Sequence, residues 1–368
     1  MKAKIISRIN SSRKGNLVES IPLRTPYSIH IDPCSLCNFK CNFCFQSDDK
    51  AIKARGLKRG LMPVELFEKI CRGLANFPDR VKKVKIGLHG EPTMHPKLPE
   101  MITYLRSIQF NYVGFYGPQE IELFTNGVLL NPELNEKLLN AGVSTFNISV
   151  EGVTGREYKK VTGVEIDFDK LVANIKDLNE KKDRLNSAEG RKRYKIHIKT
   201  ISPHKKEFFK LFGNICDEIF VEKVVPQWAG IKRDKLGKTG MYGQKVEYKE
   251  VCPFPFMYMH FNYDGIASAC TLDWARQVTI GDVKKNTVTE IWYGESLREL
   301  QLQMLAGGRR DIPFCDKCLA PMVCCKENLD KDRIKLFWRV NENNYRGIRD
   351  DRAESKEVYI SSDMPHSC

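Results

Sequence analysis

Three cysteines within eight residues, Cys37, Cys41 and Cys44, are the part of this sequence best suited to chemistry. The spacing C-x3-C-x2-C supplies three thiolates where an iron-sulfur cube needs four. One iron then keeps an open position that can bind a reacting molecule, whereas a closed cluster mainly passes electrons. A second group, Cys252, Cys270, Cys315 and Cys318, offers a full set of four. Cys34 adds another C-x2-C step ahead of Cys37, so the run also reads as a zinc-type pair or a closed cluster. A three-residue spacer is a poor fit to a zinc ribbon. For the second group spacing does not separate zinc from iron. Cys71 and Cys216 fall in apolar helical patterns and are expected to pack in the core.

The elements that must position these thiols show as short apolar strands alternating with amphipathic helices between Ser28 and Lys223, the pattern of β-α-β units. Strands are expected at 28–32, 84–88, 120–124, 145–150, 194–200 and 219–224, and helices at 63–77, 98–108, 132–141, 168–182 and 206–217. Six units are fewer than the eight of a closed barrel, so the expected fold class is α/β, a partial (β/α)6 barrel followed by a small α+β domain. Active groups then belong beyond the C-terminal ends of the strands, and Cys37 to Cys44 follow the first strand directly. The expected organisation is an N-terminal extension 1–27, a core domain 28–226, a Gly- and Lys-rich linker 227–251, a second cysteine-bearing domain 252–330 and a polar tail 331–368. Only Ile334 to Val340 is periodic in that tail.

Composition narrows the class. The 368 residues contain no apolar run of eighteen and no N-terminal cationic stretch leading into one, so neither a membrane span nor a secretion signal is expected. A cytoplasmic location follows as the expectation, and there thirteen cysteines point to metal ligands or redox work. The formal charge of +14 suits nucleic acid, a membrane surface or a small anionic substrate, such as one with a phosphate or nucleotide handle, and charge alone does not choose among them. Its densest runs, Lys181-Lys182-Asp183-Arg184 and Arg191-Lys192-Arg193, read as solvated ends of a helix and a strand. No nucleic-acid role is expected, and a basic zinc protein that binds nucleic acid stands as the non-enzyme alternative.

The cysteine spacing after strand one resembles the radical S-adenosylmethionine (radical SAM) superfamily over roughly the first 225 residues. The resemblance implies that Cys37, Cys41 and Cys44 hold a [4Fe-4S] cluster whose open iron chelates the methionine part of SAM, with Phe43 packing near the adenine and Cys34 left a bystander. It also implies roles at the strand ends. Gly90 and Glu91 in His89-Gly90-Glu91-Pro92 would receive SAM's amino group, with His89 replacing a glycine of the family segment. Asn126 in Thr125-Asn126-Gly127 would follow. Ser149 and Glu151 would meet the carboxylate and ribose, with Lys199 pairing the carboxylate.

Cys252 followed by Pro-Phe-Pro-Phe, Gly265 with four residues between it and Cys270, and Cys315-x2-Cys318 after a long helix resemble the auxiliary-cluster domains called SPASM and twitch. The shorter twitch form implies one [4Fe-4S] cluster held by Cys252, Cys270, Cys315 and Cys318. Cys324, Cys325 and Cys368 keep a second auxiliary cluster open. Implied in turn are an external one-electron reductant of the flavodoxin or ferredoxin type and hydrogen abstraction by a 5′-deoxyadenosyl radical. The substrate is small, carrier-linked or a peptide. Two-electron oxidation of a polyhydroxylated, sugar-like substrate is favoured, because only 27 residues precede the first strand, too few for a peptide-recognition domain; modification of a ribosomally made peptide is the alternative. Asp273, Trp274 and Trp228 are candidate substrate neighbours or core residues, and no catalytic base is legible.

Overall fold

The structure, a computed structural model, describes residues 1–8, 16–110, 115–231 and 236–342. Its strands are β1 (Lys4–Ile5), β2 (Ser28–Ile31), β3 (Lys83–Ile86), β4 (Glu120–Thr125), β5 (Thr145–Val150), β6 (Lys195–Thr200), β7 (Glu218–Val221), β8 (Tyr258–Phe261), β9 (Ile266–Ser268) and β10 (Thr279–Asp282). The six expected strands are β2 to β7, each parallel to its neighbour in sequence. They form the partial barrel, but the sheet does not stop there. Its order is β1-β7-β6-β5-β4-β3-β2-β8-β9-β10. Residues 1–27, expected as an extension, thus add β1 alongside β7. Strand β8 of the second cysteine region lies parallel to β2, with Ser28 opposite Tyr258 and His30 opposite His260.

Side chains alternate across a strand, so register decides what each face carries. One face holds Ile29, Ile31, Val84, Ile86, Ile121 and Leu123, all fully buried. Phe146, Ile148, Ile196, Ile198 and Ile219 continue it within the same apolar cluster as the helices. The opposite face is polar. Register aligns His30, Lys85, Glu122, Thr145 and Lys195 in one row, and Ser149 beside Lys199 nearer the C-terminal ends. A sheet with an apolar back under helices and a polar front leaves the front for ligands.

The helices Val64–Leu74, Leu98–Ser107, Pro132–Asn140, Phe168–Ala188 and Lys205–Phe212 match the expected ones and cover the apolar back. A further helix, Gly155–Thr162, was not expected. Its signals are present: the Thr154 hydroxyl accepts the Glu157 N–H, and Gly163 closes the helix at φ 74°. The helix Arg333–Glu342 falls in the expected polar tail and buries Leu336 and Val340, with Arg298 of the helix Glu295–Leu305 bonding Val340 and Asn341. Lys182, expected in solvent, is fully buried and pairs with Asp217 at 2.7 Å, because its helix continues past the basic run to Ala188 and packs it against the turn before β7. Among the described residues no helix is long and apolar enough to cross a membrane.

Candidate active site

The loop after β2 carries Cys37, Cys41 and Cys44, all half-buried. It is moored on the unexpected helix, where the Lys40 and Asn42 N–H groups donate to the Thr162 and Val161 carbonyls at 2.9 and 2.8 Å. On its other side the Glu91 N–H donates to the Leu36 carbonyl at 2.8 Å. The approach is close enough that a side chain at Gly90 would sit 2.3 Å from the Cys34 carbonyl oxygen, so position 90 requires glycine. Gln46, two residues past Cys44, donates to the carbonyls of Ser35 and His89 and so ties the loop to the segment after β3.

Burial pushes the Cys37 thiol up to about 12, with Glu91 adding to it, and raises Cys41 too, with Glu151 and Cys44 adding. Thiols held this way stay protonated at neutral pH unless a cation takes the proton's place. Cys34 Sγ bonds the Leu36 backbone, its carbonyl at 3.4 Å and its N–H at 3.3 Å.

The candidate SAM residues meet at the C-terminal ends of β3 to β6. Glu91 is buried, and its Oε1 accepts from the Thr93 backbone N–H at 3.1 Å and from the hydroxyls of Thr93 and Thr125 at 2.5 and 2.7 Å. Its Oε2 has one protein donor, the Asn126 N–H at 2.7 Å, and keeps a lone pair for an ammonium. Asn126 itself is differently employed. Its amide donates to Asn38 and accepts from the Val128 N–H, so it braces the cysteine loop. Glu151 is buried with Oε2 unpartnered, an acceptor that fits a ribose hydroxyl. Ser149 and Lys199 are register partners on β5 and β6, and Lys199 lies 3.5 Å from Glu222. Phe43 is half-buried within the loop.

Cys252, Cys270, Cys315 and Cys318 line one largely apolar pocket. The buried Arg309 guanidinium donates to the Cys315 and Cys318 carbonyls at 2.9 and 3.1 Å and locks the C-x2-C turn. The Leu272 N–H and the Tyr258 hydroxyl approach the Cys270 sulfur at 3.3 and 3.7 Å. Cys324 and Cys325 do not line this cavity, and Cys368 lies outside the described residues. Among the described residues Asp32, His89 and His260 bring three donor atoms within 4.8 Å of one another.

The two sites adjoin. The His89 imidazole bonds the carbonyl of Thr271, which follows Cys270, and His89 itself opens the Gly90-Glu91 segment. Burial pushes this imidazole down to about 4, so it is neutral at pH 7. Asp273 is fully buried and accepts from the Gln277 and Val278 N–H groups, which makes it a loop brace. Trp274 packs on Phe45 at 5.4 Å and donates to the Ala229 carbonyl, the core alternative. Trp228 also packs on Phe45, but its buried indole N–H has no partner. Sequence reading missed Gln46, Thr125, Arg309 and Tyr258. Their only signals are proximity to a motif, and for Arg309 none.

The profile of the Radical SAM superfamily matches residues 31–208, and that of the SPASM iron-sulfur cluster-binding domain matches residues 252–319. The chain is similar to the probable GTP 3′,8-cyclase of Metallosphaera sedula, 32% identical over 142 residues, which is 39% of each protein. The same holds for that of Methanococcus maripaludis, 33% identical over 127 residues, 34% of this chain and 37% of the relative. The match spans about two fifths of either relative's length. Among solved structures, BtrN in complex with AdoMet and 2-DOIA aligns over 83% of this chain and 97% of its own, with TM-score 0.51 and 16% identity. Streptococcus suis SuiB bound to S-adenosylmethionine aligns over 77% and 70%, with TM-score 0.53 and 16% identity. At these identities the likeness is one of fold.

Proposed function

Because the chain belongs to the radical SAM superfamily and carries a C-terminal SPASM-type iron-sulfur domain, we propose that it is an oxidoreductase acting on an unactivated C–H bond of a polyhydroxylated substrate. Bound to Cys37, Cys41 and Cys44 and to Cys252, Cys270, Cys315 and Cys318, the two [4Fe-4S] clusters with SAM supply a hydrogen-abstracting radical and an electron acceptor.

The residues supply placement. Glu91 and Glu151 orient the ends of SAM, and Gly90 admits its segment against the cysteine loop. In the net reaction the alcohol carbon loses a hydrogen atom, its hydroxyl loses a proton and one electron leaves, giving a carbonyl. One observation carries this reading: the cavity formed by four cysteines stands one hydrogen-bonded step, Thr271 to His89, from the segment proposed to hold SAM. An external one-electron reductant of the flavodoxin or ferredoxin type completes the cycle.

Reduced enzyme incubated with SAM and deuterated polyols, including phosphorylated ones, tests the reading. Deuterium in 5′-deoxyadenosine together with a substrate carbonyl is expected. Transfer from a peptide instead would favour the modification of peptides. The Cys37→Ala, Cys41→Ala, Cys44→Ala triple variant should keep about four of roughly eight irons and form no 5′-deoxyadenosine.

A further inference from the structure

Asp32, His89 and His260 come together where β2, the segment after β3, and β8 end side by side. Their side chains are 1%, 6% and 0% exposed. None is a cysteine-site residue, and His89 stands where a glycine was expected from the family segment. Asp32 Oδ1 accepts the backbone N–H groups of Leu88 and His89 at 2.7 and 3.2 Å, which fixes the carboxylate and turns Oδ2 inward. His260 Nε2 lies 2.7 Å from Oδ2, and His89 Nδ1 lies 3.2 Å from it. The other His89 nitrogen faces the Thr271 carbonyl, which only accepts, so Nε2 carries the ring proton. Nδ1 therefore faces a buried carboxylate oxygen across 3.2 Å, a gap that a metal ion or a proton can fill.

We propose that Asp32, His89 and His260 form a binding site for one divalent cation of the zinc type, with Oδ2, Nδ1 and Nε2 as the respective ligand atoms. Two imidazoles and a carboxylate are zinc donors, and ligands on an ion at about 2.0–2.1 Å lie roughly 3–3.4 Å apart. The two separations from Asp32, 2.7 and 3.2 Å, fall within a few tenths of an ångström of that range, and the three donor atoms lie within 4.8 Å of one another. Two of the three ligands have the outer bonds that hold metal ligands in place, a carbonyl on the far nitrogen of His89 and two backbone donors on the far oxygen of Asp32, whereas the buried Nδ1 of His260 has no partner. The rings of His89 and His260 stand at 88°, so their nitrogens approach from different directions. Asp32 and His89 also line a cleft of about 370 Å3, open mouth included, with Asn262 and Tyr263. A fourth position would face that cleft and take an oxygen ligand, water or a substrate hydroxyl, as open zinc sites do. Of the basic residues at the cleft, Arg59 and Arg276 are paired with Asp49 and Asp264, while Arg276 still adds positive charge near His89 and Lys58 lines the mouth.

The test reads metal and does not depend on the proposed reaction. Anaerobically prepared holoenzyme with both clusters is incubated with zinc sulfate, desalted, and measured for zinc by plasma mass spectrometry and zinc-edge X-ray absorption. One zinc per chain with only nitrogen and oxygen neighbours is expected. His260→Gln and Asp32→Asn should weaken zinc retention at least about tenfold with iron content unchanged. No retained zinc, a shell containing sulfur, or equal retention by folded variants would overturn the site, leaving a proton as the shared cation. If the variants do not fold, the absorption spectrum of the unaltered enzyme decides alone.

Discussion

Gly90 and Glu151 show how a single residue sets the candidate SAM site. An added methyl at position 90 meets the Cys34 and Leu36 carbonyl oxygens at 2.3 and 2.6 Å, and both belong to backbone that cannot yield without moving the cysteine loop. Gly90→Ala is expected to destabilise that junction by roughly 1–3 kcal/mol and to suppress 5′-deoxyadenosine formation, while the auxiliary cluster's absorbance persists. Normal SAM cleavage in this variant would show that the contact is slack. Glu151 offers an unpartnered buried oxygen, so Glu151→Gln should weaken SAM binding by about 1.5–3 kcal/mol in an equilibrium titration, with iron content intact. The sequence pointed to both residues by motif. It could not reveal that Asn126, in the same motif set, bonds Asn38 and Val128, because that depends on how two loops meet.

At the scale of elements, the polar front of the sheet and the helix in the tail carry separate expectations. Burial raises the Glu122 carboxyl, but Lys83 and Lys85 outweigh burial and hold it below its ordinary 4.5. A depressed carboxylate stabilises above the unfolded-state pKa and loses that contribution as pH falls through the folded value. Glu122→Gln should therefore melt lower than the parent at pH 7, with the gap closing below about pH 4.5, as followed by circular dichroism. In the helix Arg333–Glu342, Leu336 is fully buried and Trp338 is 55% exposed. Leu336→Ala should destabilise by about 2–5 kcal/mol and Trp338→Ala should change the melting temperature little. Periodicity in the sequence flagged this helix without a partner. The helix Gly155–Thr162 was missed because eight residues opening on Gly, with three Lys or Arg, carry little apolar pattern, although its caps were legible.

The whole molecule is one sheet from β1 to β10, and the two cysteine sites are built on its adjoining strands. Truncation after Glu250 would leave β2, the strand that leads into the first cysteine loop, without its β8 neighbour. Such a chain is expected to melt below the full protein and to hold less iron on Cys37, Cys41 and Cys44 than the full chain does; an equal melt and four irons retained would show independent domains. What the sequence determined by itself is local: the thiol spacing that leaves one iron open, the complementary set of four, and the order of β-α units that puts the first set at a strand's C-terminal end. These follow from short-range geometry, which spacing and periodicity encode directly. Only the tertiary structure decided that β8 lies against β2, that Thr271 reaches His89, and that His260 meets Asp32 from 228 residues away. Such pairings depend on register between distant strands, and buried polar groups find their partners only once that register is set.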